Sequence, residues 1–209
     1  MKRLKIMSLN VFMAKKPKHN NKDIQDLAKF LFELGMLKRV KRSGWWLAGV
    51  ENPETIAEHN ARTAVIAFIL AKMEGVNPEK TALMCILHDV PETRTSDIHK
   101  VGARYINFKE AEKKSRTEQL KDLPYCPEFL QLLNEMEAKE TKEAIVAKDA
   151  DYLECLIQAR EYYDIGYTET KDWIKNAMAT LKTDSAKKLA KEAVKMKAYS
   201  WWYGLKKLK

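Results

Sequence analysis

The chain is poor in the residues that break or staple a backbone. Seven Gly and six Pro in 209 residues are too few for a β-sandwich or barrel, whose short strands need regular turn signals. Cys85, Cys126 and Cys155 are an odd number without paired spacing, which excludes a disulfide framework and a Cys-rich structural zinc site. Each sits in or beside an apolar helix and reads as a small buried residue in a reducing compartment. No stretch approaches the roughly 18–20 apolar residues that cross a bilayer. The N-terminal MKRLKIMSLNVFMAKK has no long apolar block and no small-residue cleavage site, which argues against a signal peptide. A cytoplasmic chain with no membrane partner is expected.

Acidic residues are also scarce, but only at the ends. Residues 1–22 carry seven Lys/Arg and no acid, and residues 182–209 carry nine Lys and two acids. The ends therefore hold +14 of a net +9, and residues 23–181 hold −5. A nucleic-acid-binding domain carries its basic patch on the folded body, so nucleic acid is not the expected partner. The basic tails are read as solvated lysines that help draw anions inward.

What is there reads as helix. Over residues 23–40, Ile24, Leu27, Leu31, Leu34 and Leu37 follow the three-to-four spacing of an amphipathic helix. A loop runs from Arg42 past Trp45 and Trp46 to Asn52. Thr55 and Glu58 then form a capping-box pair, and Gly75 closes the helix they open. Between Ala61 and Ala71 that helix is apolar nearly all round, which predicts a central, buried position. Asn77 and Pro78 start the next helix, with Leu83, Ile86, Leu87 and Val90 on its apolar side and Pro91 at its end. After a polar segment at 93–107, helices are predicted at 108–121, 127–138, 140–164, 168–182 and 184–207. No strand pattern persists and no repeat is visible. The expected fold is all-α: a basic tail over residues 1–22, one compact multi-helix bundle over 23–182, and a basic, aromatic helix over 183–209 as a C-terminal extension. The aromatics of that last segment are expected to pack on the body or across a dimer.

There are four histidines. His19 and His99 lie in polar stretches and need no role beyond solvent exposure. His59 falls in the first turn of the buried helix, and His88, followed by Asp89, at the end of another. A buried carboxylate without a cation or donors is costly, and a metal is one economical partner. Two imidazoles with carboxylates suit Mn²⁺, Co²⁺, Fe²⁺, Ni²⁺ or Mg²⁺ and leave positions open for water and substrate. A third segment must complete such a set, and residues 147–154 offer two acids. Asp149 falls on the side of Ile145, Tyr152, Leu153 and Leu156, and Asp151 on a stripe of small residues, Ala147, Cys155 and Ala159. Helical periodicity leaves both open.

His59, then His88-Asp89, then a distant Asp151 resembles the His…His-Asp…Asp signature of HD-domain metal-dependent phosphohydrolases. Arg42-Ser43-Gly44-Trp45, the run from Pro53 to His59, His88 to Glu92, Ser96-Asp97-Ile98, and Lys148 to Asp151 with Glu154, Gln158 and Ala159 resemble its 5′-deoxynucleotidase branch, over roughly residues 23–165. The resemblance implies one divalent metal (Co, Mn, Ni, Fe or Mg) held by His59, His88, Asp89 and Asp151. It implies removal of the 5′-phosphate from deoxynucleoside 5′-monophosphates by water activated on that metal. Glu92 then matches the catalytic Glu that orients or deprotonates the water. Asp97 matches a second acid near the nucleotide, a candidate for handling the leaving-oxygen proton. Arg42 and Trp45 match residues that hold the phosphate and the deoxyribose; Ser43-Gly44 separates them here, and Trp46 is a second candidate for the sugar. A homodimer is expected. The alternatives are an HD phosphohydrolase acting on a triphosphate, cyclic nucleotide or alarmone, and a non-catalytic nucleic-acid or interaction module.

Overall fold

Residues 18–205 are described by a computed structural model, and nine α-helices account for most of them. The N-terminal tail lies outside the described residues except for positions 18–22. Helix α1 (Asn21–Leu34) opens on a capping box of Asn20 and Asp23. It turns Phe30 inward with Leu27 and Leu34 beside it, while Ile24 and Leu31 face solvent. A 3-10 turn, Ser43–Ala48, then leads into α2 (Ile56–Glu74). Helix α2 starts and stops as its sequence predicts: Thr55 and Glu58 cap each other, and Gly75 adopts a left-handed φ of 71°, a conformation that costs glycine nothing.

Helices α2, α3 (Pro78–Leu87) and α7 (Lys142–Asp164) pack pairwise and carry the main core, with Leu70, Met84, Leu153 and Leu156 fully buried. The expectation that α2 is buried all round holds for one face only. Ile66, Ala67, Leu70 and Ala71 point in, whereas Val65, Phe68, Ile69 and Met73 are exposed. Helix α3 likewise buries Met84, Cys85 and Leu87 and leaves Leu83 and Ile86 outside. An apolar side chain reads the same in sequence whether or not a neighbour covers it, so periodicity cannot choose between two apolar faces.

Helix α3 ends at Leu87, three residues before the expected stop, and a short α4 (Glu92–Thr95) follows. Helices α5 (Phe108–Leu120), α6 (Cys126–Ala138), α8 (Lys171–Thr180) and α9 (Asp184–Lys195) complete the bundle. Helix α9 extends the bundle and packs into it, with Ala186 and Ala190 fully buried. It does not run on to residue 207. Met196 turns extended, and two bonds draw the chain onto the end of α7: Arg160 Nε donates to the Met196 carbonyl at 3.2 Å, and the Ala198 N–H donates to Asp164 at 2.7 Å. Ser200–Trp202 is a single 3-10 turn, and Trp201 and Tyr203 beyond α9 are exposed instead of packed on the body. The cysteines are free, and no helix among the described residues is long and apolar enough to cross a membrane.

Candidate metal centre

Three elements of the central layer meet at one point. The first turn of α2 supplies His59, the residues just after α3 supply His88 and Asp89, and the middle of α7 supplies Asp151. One donor atom each from His59, His88 and Asp89 lies within 4.8 Å of the others. Asp151 joins through Oδ1, 3.2 Å from His59 Nε2 and 3.8 Å from His88 Nε2.

Both imidazoles are held by their far nitrogens. His88 Nδ1 lies 2.8 Å from the Cys85 carbonyl, which can only accept, so Nδ1 carries the proton. His59 Nδ1 faces the Glu154 carboxylate in the same way. Each ring therefore turns Nε2 toward the shared point, the arrangement in which a neutral histidine offers a lone pair to a cation. Two buried atoms at this point have only carboxylate or ion-pair neighbours and no regular hydrogen bond among the described residues. His59 Nε2 and Asp89 Oδ2, both buried, are 3.7 Å apart and have no hydrogen-bond partner among the described residues. Buried polar atoms are seldom left unpaired, and a divalent cation fits this set of nitrogen and oxygen donors.

Charge is concentrated here. Burial and the Arg42 charge press His59 toward neutrality, but contacts with Asp151 and Glu154 outweigh them and carry its pKa up to about 9. Burial opposes ionisation of Asp151, yet Lys148, His59 and His88 hold its carboxyl well below the usual range. Lys148 Nζ is 2.7 Å from Asp151 Oδ2.

The other acid of this segment is placed elsewhere. Asp149 is fully buried and accepts from the Lys182 N–H at 2.9 Å, the Thr183 N–H at 2.6 Å and the Thr183 hydroxyl at 2.7 Å. It ties the start of α9 to α7 and does not reach the His59–His88 point.

Beside the donor cluster opens a cavity of about 500 Å³, within the usual range of small-ligand sites. Asp89, Glu92, Asp97 and Asp151 line it, as do Arg42 and Trp45. Glu92, at the start of α4, is buried and its Oε2 has no hydrogen-bond partner among the described residues. Burial first, then the charges of Asp89 and Asp97, push its carboxyl well up. Asp97 accepts from the Ser43 N–H and so pins the 3-10 turn to its own loop. Arg42 Nη1 is 3.9 Å from Asp89 Oδ2. Trp45 is both an anchor and a wall. Only 2% exposed, it donates from Nε1 to Glu54 at 3.1 Å and packs on Tyr162 and Trp173. Trp46 is 52% exposed and does not line the cavity.

Several residues of the site escape a reading of the sequence. His99, expected to need only solvent, lines the cavity, as do Trp173 and Asn176 of α8. Glu154 backs His59 and is itself gripped by Arg62, whose Nη2 lies 2.7 Å away. A signal for this pair exists in the spacing, since Arg62 follows His59 and Glu154 follows Asp151 by three residues, one helical turn. The cavity lining carries no such signal, because it is assembled from segments far apart in the chain.

An all-helical bundle that gathers two histidines and two aspartates from three helical segments defines a class. The family model for the HD domain matches residues 34–194, and the chain belongs to that family. The 5′-deoxynucleotidase HDDC2 of Bos taurus is 35% identical over 148 residues, covering 68% of this chain and 70% of the relative. The human 5′-deoxynucleotidase HDDC2 is 32% identical over the same shares. These relatives put the chain in the 5′-deoxynucleotidase branch. A solved structure of a conserved hypothetical protein from Pyrococcus furiosus, 31% identical, superposes with a TM-score of 0.69 over 81% of this chain and 99% of that one.

Proposed function

We propose that the chain is a metal-dependent phosphatase that removes the 5′-phosphate from deoxynucleoside 5′-monophosphates. The observation that carries this reading is the pair of buried atoms without a hydrogen bond, His59 Nε2 and Asp89 Oδ2, beside a cavity that also holds an unpaired acid. The relatives' names supply the substrate class.

In this reading His59, His88, Asp89 and Asp151 hold one divalent cation, with Co²⁺, Mn²⁺, Ni²⁺, Fe²⁺ and Mg²⁺ all compatible with the donors. Such an ion lowers the pKa of water and polarises a phosphoryl oxygen. Glu154 and the Cys85 carbonyl keep the two imidazoles aimed. Glu92 orients the attacking water and takes its proton, and a cation near Asp89 would offset the Asp89 charge that, after burial, pushes the Glu92 carboxyl up. The P–O5′ bond breaks as the new P–O bond forms. The proton that Glu92 takes from the water passes to the departing O5′, with Asp97, held by the Ser43 N–H at the cavity wall, guiding its transfer. Arg42 pairs with the phosphate through its planar fork, and the edge of Trp45 packs on the deoxyribose.

The exposed stripe of Val65, Phe68, Ile69 and Met73 on α2, with Leu83 and Ile86 on α3, supports a homodimer, since apolar faces of this kind mark association sites. The three free cysteines suit a reducing cytoplasm.

The deciding experiment strips the purified protein with chelator, reloads it with Mn²⁺ or Co²⁺, and follows phosphate release from a panel of nucleotides. Turnover of deoxynucleoside 5′-monophosphates above mono-ribonucleotides, triphosphates and cyclic nucleotides is expected; no turnover of any deoxynucleoside monophosphate overturns the proposal. A single dimeric mass by light scattering checks the assembly.

A further inference from the structure

A second, smaller cavity of about 260 Å³ reaches His88 and Asp89 from the side of α5 and α6. Its composition differs from the first. The larger cavity has aromatic and aliphatic walls in Trp45, Leu47 and Trp173. The smaller has no aromatic side chain and presents five cations, Lys109, Lys113, Arg116, Lys139 and Lys148. Two of these are already engaged, Arg116 with Glu137 at 2.8 Å and Lys148 with Asp151 at 2.7 Å. Lys109, Lys113 and Lys139 make no close ion pair among the described residues, although Lys109 and Lys113 lie near enough to Glu137 to help lower its pKa, and Glu112 also lines the cleft. Set against the carboxylates of Asp89, Glu112 and Glu137, five cations leave this concave lining with a positive excess, and an oxyanion is drawn to such a site. The two cavities share Asp89, Glu112 and Lys148, so they meet at the edge of the donor cluster.

Hydrolysis of a nucleotide yields two products of unlike chemistry, a flat nucleoside and a compact anion. The two openings have matching unlike chemistries. We propose that the cleft between α5 and α6 is an oxyanion subsite that receives the inorganic phosphate released at the metal centre, an assignment that rests on the phosphatase reading. Lys109, Lys113 and Lys139 bind the anion there as point charges, and the nucleoside leaves by the aromatic cavity.

The test is inorganic phosphate titrated calorimetrically into the full chain stripped of metal, where the donor cluster offers no cation to bind it. Wild type is expected to bind phosphate, and Lys109→Gln/Lys113→Gln to bind it at least about tenfold more weakly, in proportion to the lost field. A control with the same charge change on the outer face of α9, Lys187→Gln/Lys191→Gln, is expected to match wild type. Circular dichroism checks that each variant folds. No phosphate binding by wild type, or equal binding by the two double variants, overturns the proposal. So does tighter, equally lysine-dependent binding of a deoxynucleoside 5′-monophosphate than of phosphate, because the cleft would then seat substrate. None of these readouts needs turnover, so a protein that binds phosphate here yet hydrolyses nothing refutes the phosphatase reading and not the subsite.

Discussion

On α7 two carboxylates stand two residues apart, both buried, with opposite surroundings. Asp149 is surrounded by donors, the N–H groups of Lys182 and Thr183 and the Thr183 hydroxyl. Asp151 faces a single ammonium group, two imidazole nitrogens aimed at the same point, and a cavity. The first environment is complete without a ligand. The second is not, since His59 Nε2 and Asp89 Oδ2 beside it have no hydrogen bond among the described residues. The difference teaches how to separate a structural buried charge from a candidate ligand: the structural acid has its donors supplied by the fold, and the candidate shares its surroundings with buried atoms that lack a hydrogen bond.

That contrast can be broken experimentally, and the largest effect is expected on the cavity side. Asp151→Ala should weaken metal binding by more than the roughly 10–100-fold that changes behind a ligand cost, with turnover lost alongside, as read by metal titration and phosphate release. Glu92→Ala should keep the metal and lower kcat by about 10²–10⁴-fold, the usual range of a general acid–base group; full activity removes its assigned role. Asp149→Ala should do the reverse of Asp151→Ala. Stranding the donors that start α9 costs about 3 kcal/mol, a drop of roughly 6–12 °C in Tm for a domain of this size, while the folded protein still binds metal. If Asp149→Ala abolishes metal binding at unchanged Tm, the two roles are interchanged. Glu154→Gln should cost about 10–100-fold in metal affinity by loosening the His59 ring, with little change in KM.

The smallest effect is on pH. The metal-free His59 pKa of about 9 lies above its ordinary 6.5, so its contribution to folding is fully present below 6.5 and is lost as pH rises through about 9. A cation must displace that proton, so metal affinity should rise with pH over the same window, by up to about tenfold per unit, and level off above it. Melting curves with and without metal should therefore slope in opposite directions; parallel slopes would show that His59 binds no ion.

Much of the fold is legible in local chemistry. The Thr55–Glu58 capping box, Asn77 with Pro78, and Gly75 act on neighbours within one helical turn, and each boundary falls where those residues place it. The exposed faces of α2 and α3 were not legible, because burial depends on what other segments cover. The end of α9 was not legible either, being set by Arg160 and Asp164 from a distant helix. The same division runs through the site. His59, His88, Asp89 and Asp151 stand out by residue type and by resemblance, and the structure brings them together. His99, Trp173 and the lysines of α5 do not stand out, since lining a cavity leaves no mark on local periodicity.

By itself the sequence determined the all-helical architecture, the helix starts and the acids and imidazoles from which a metal centre is drawn, because caps, propensities and residue chemistry act locally. Resemblance alone favoured Asp151 over Asp149, and only the tertiary structure gives the physical reason for separating them. Both lie on buried faces of one helix, and which of them caps α9 and which meets the histidines depends on where α2, α3 and α9 pack around α7.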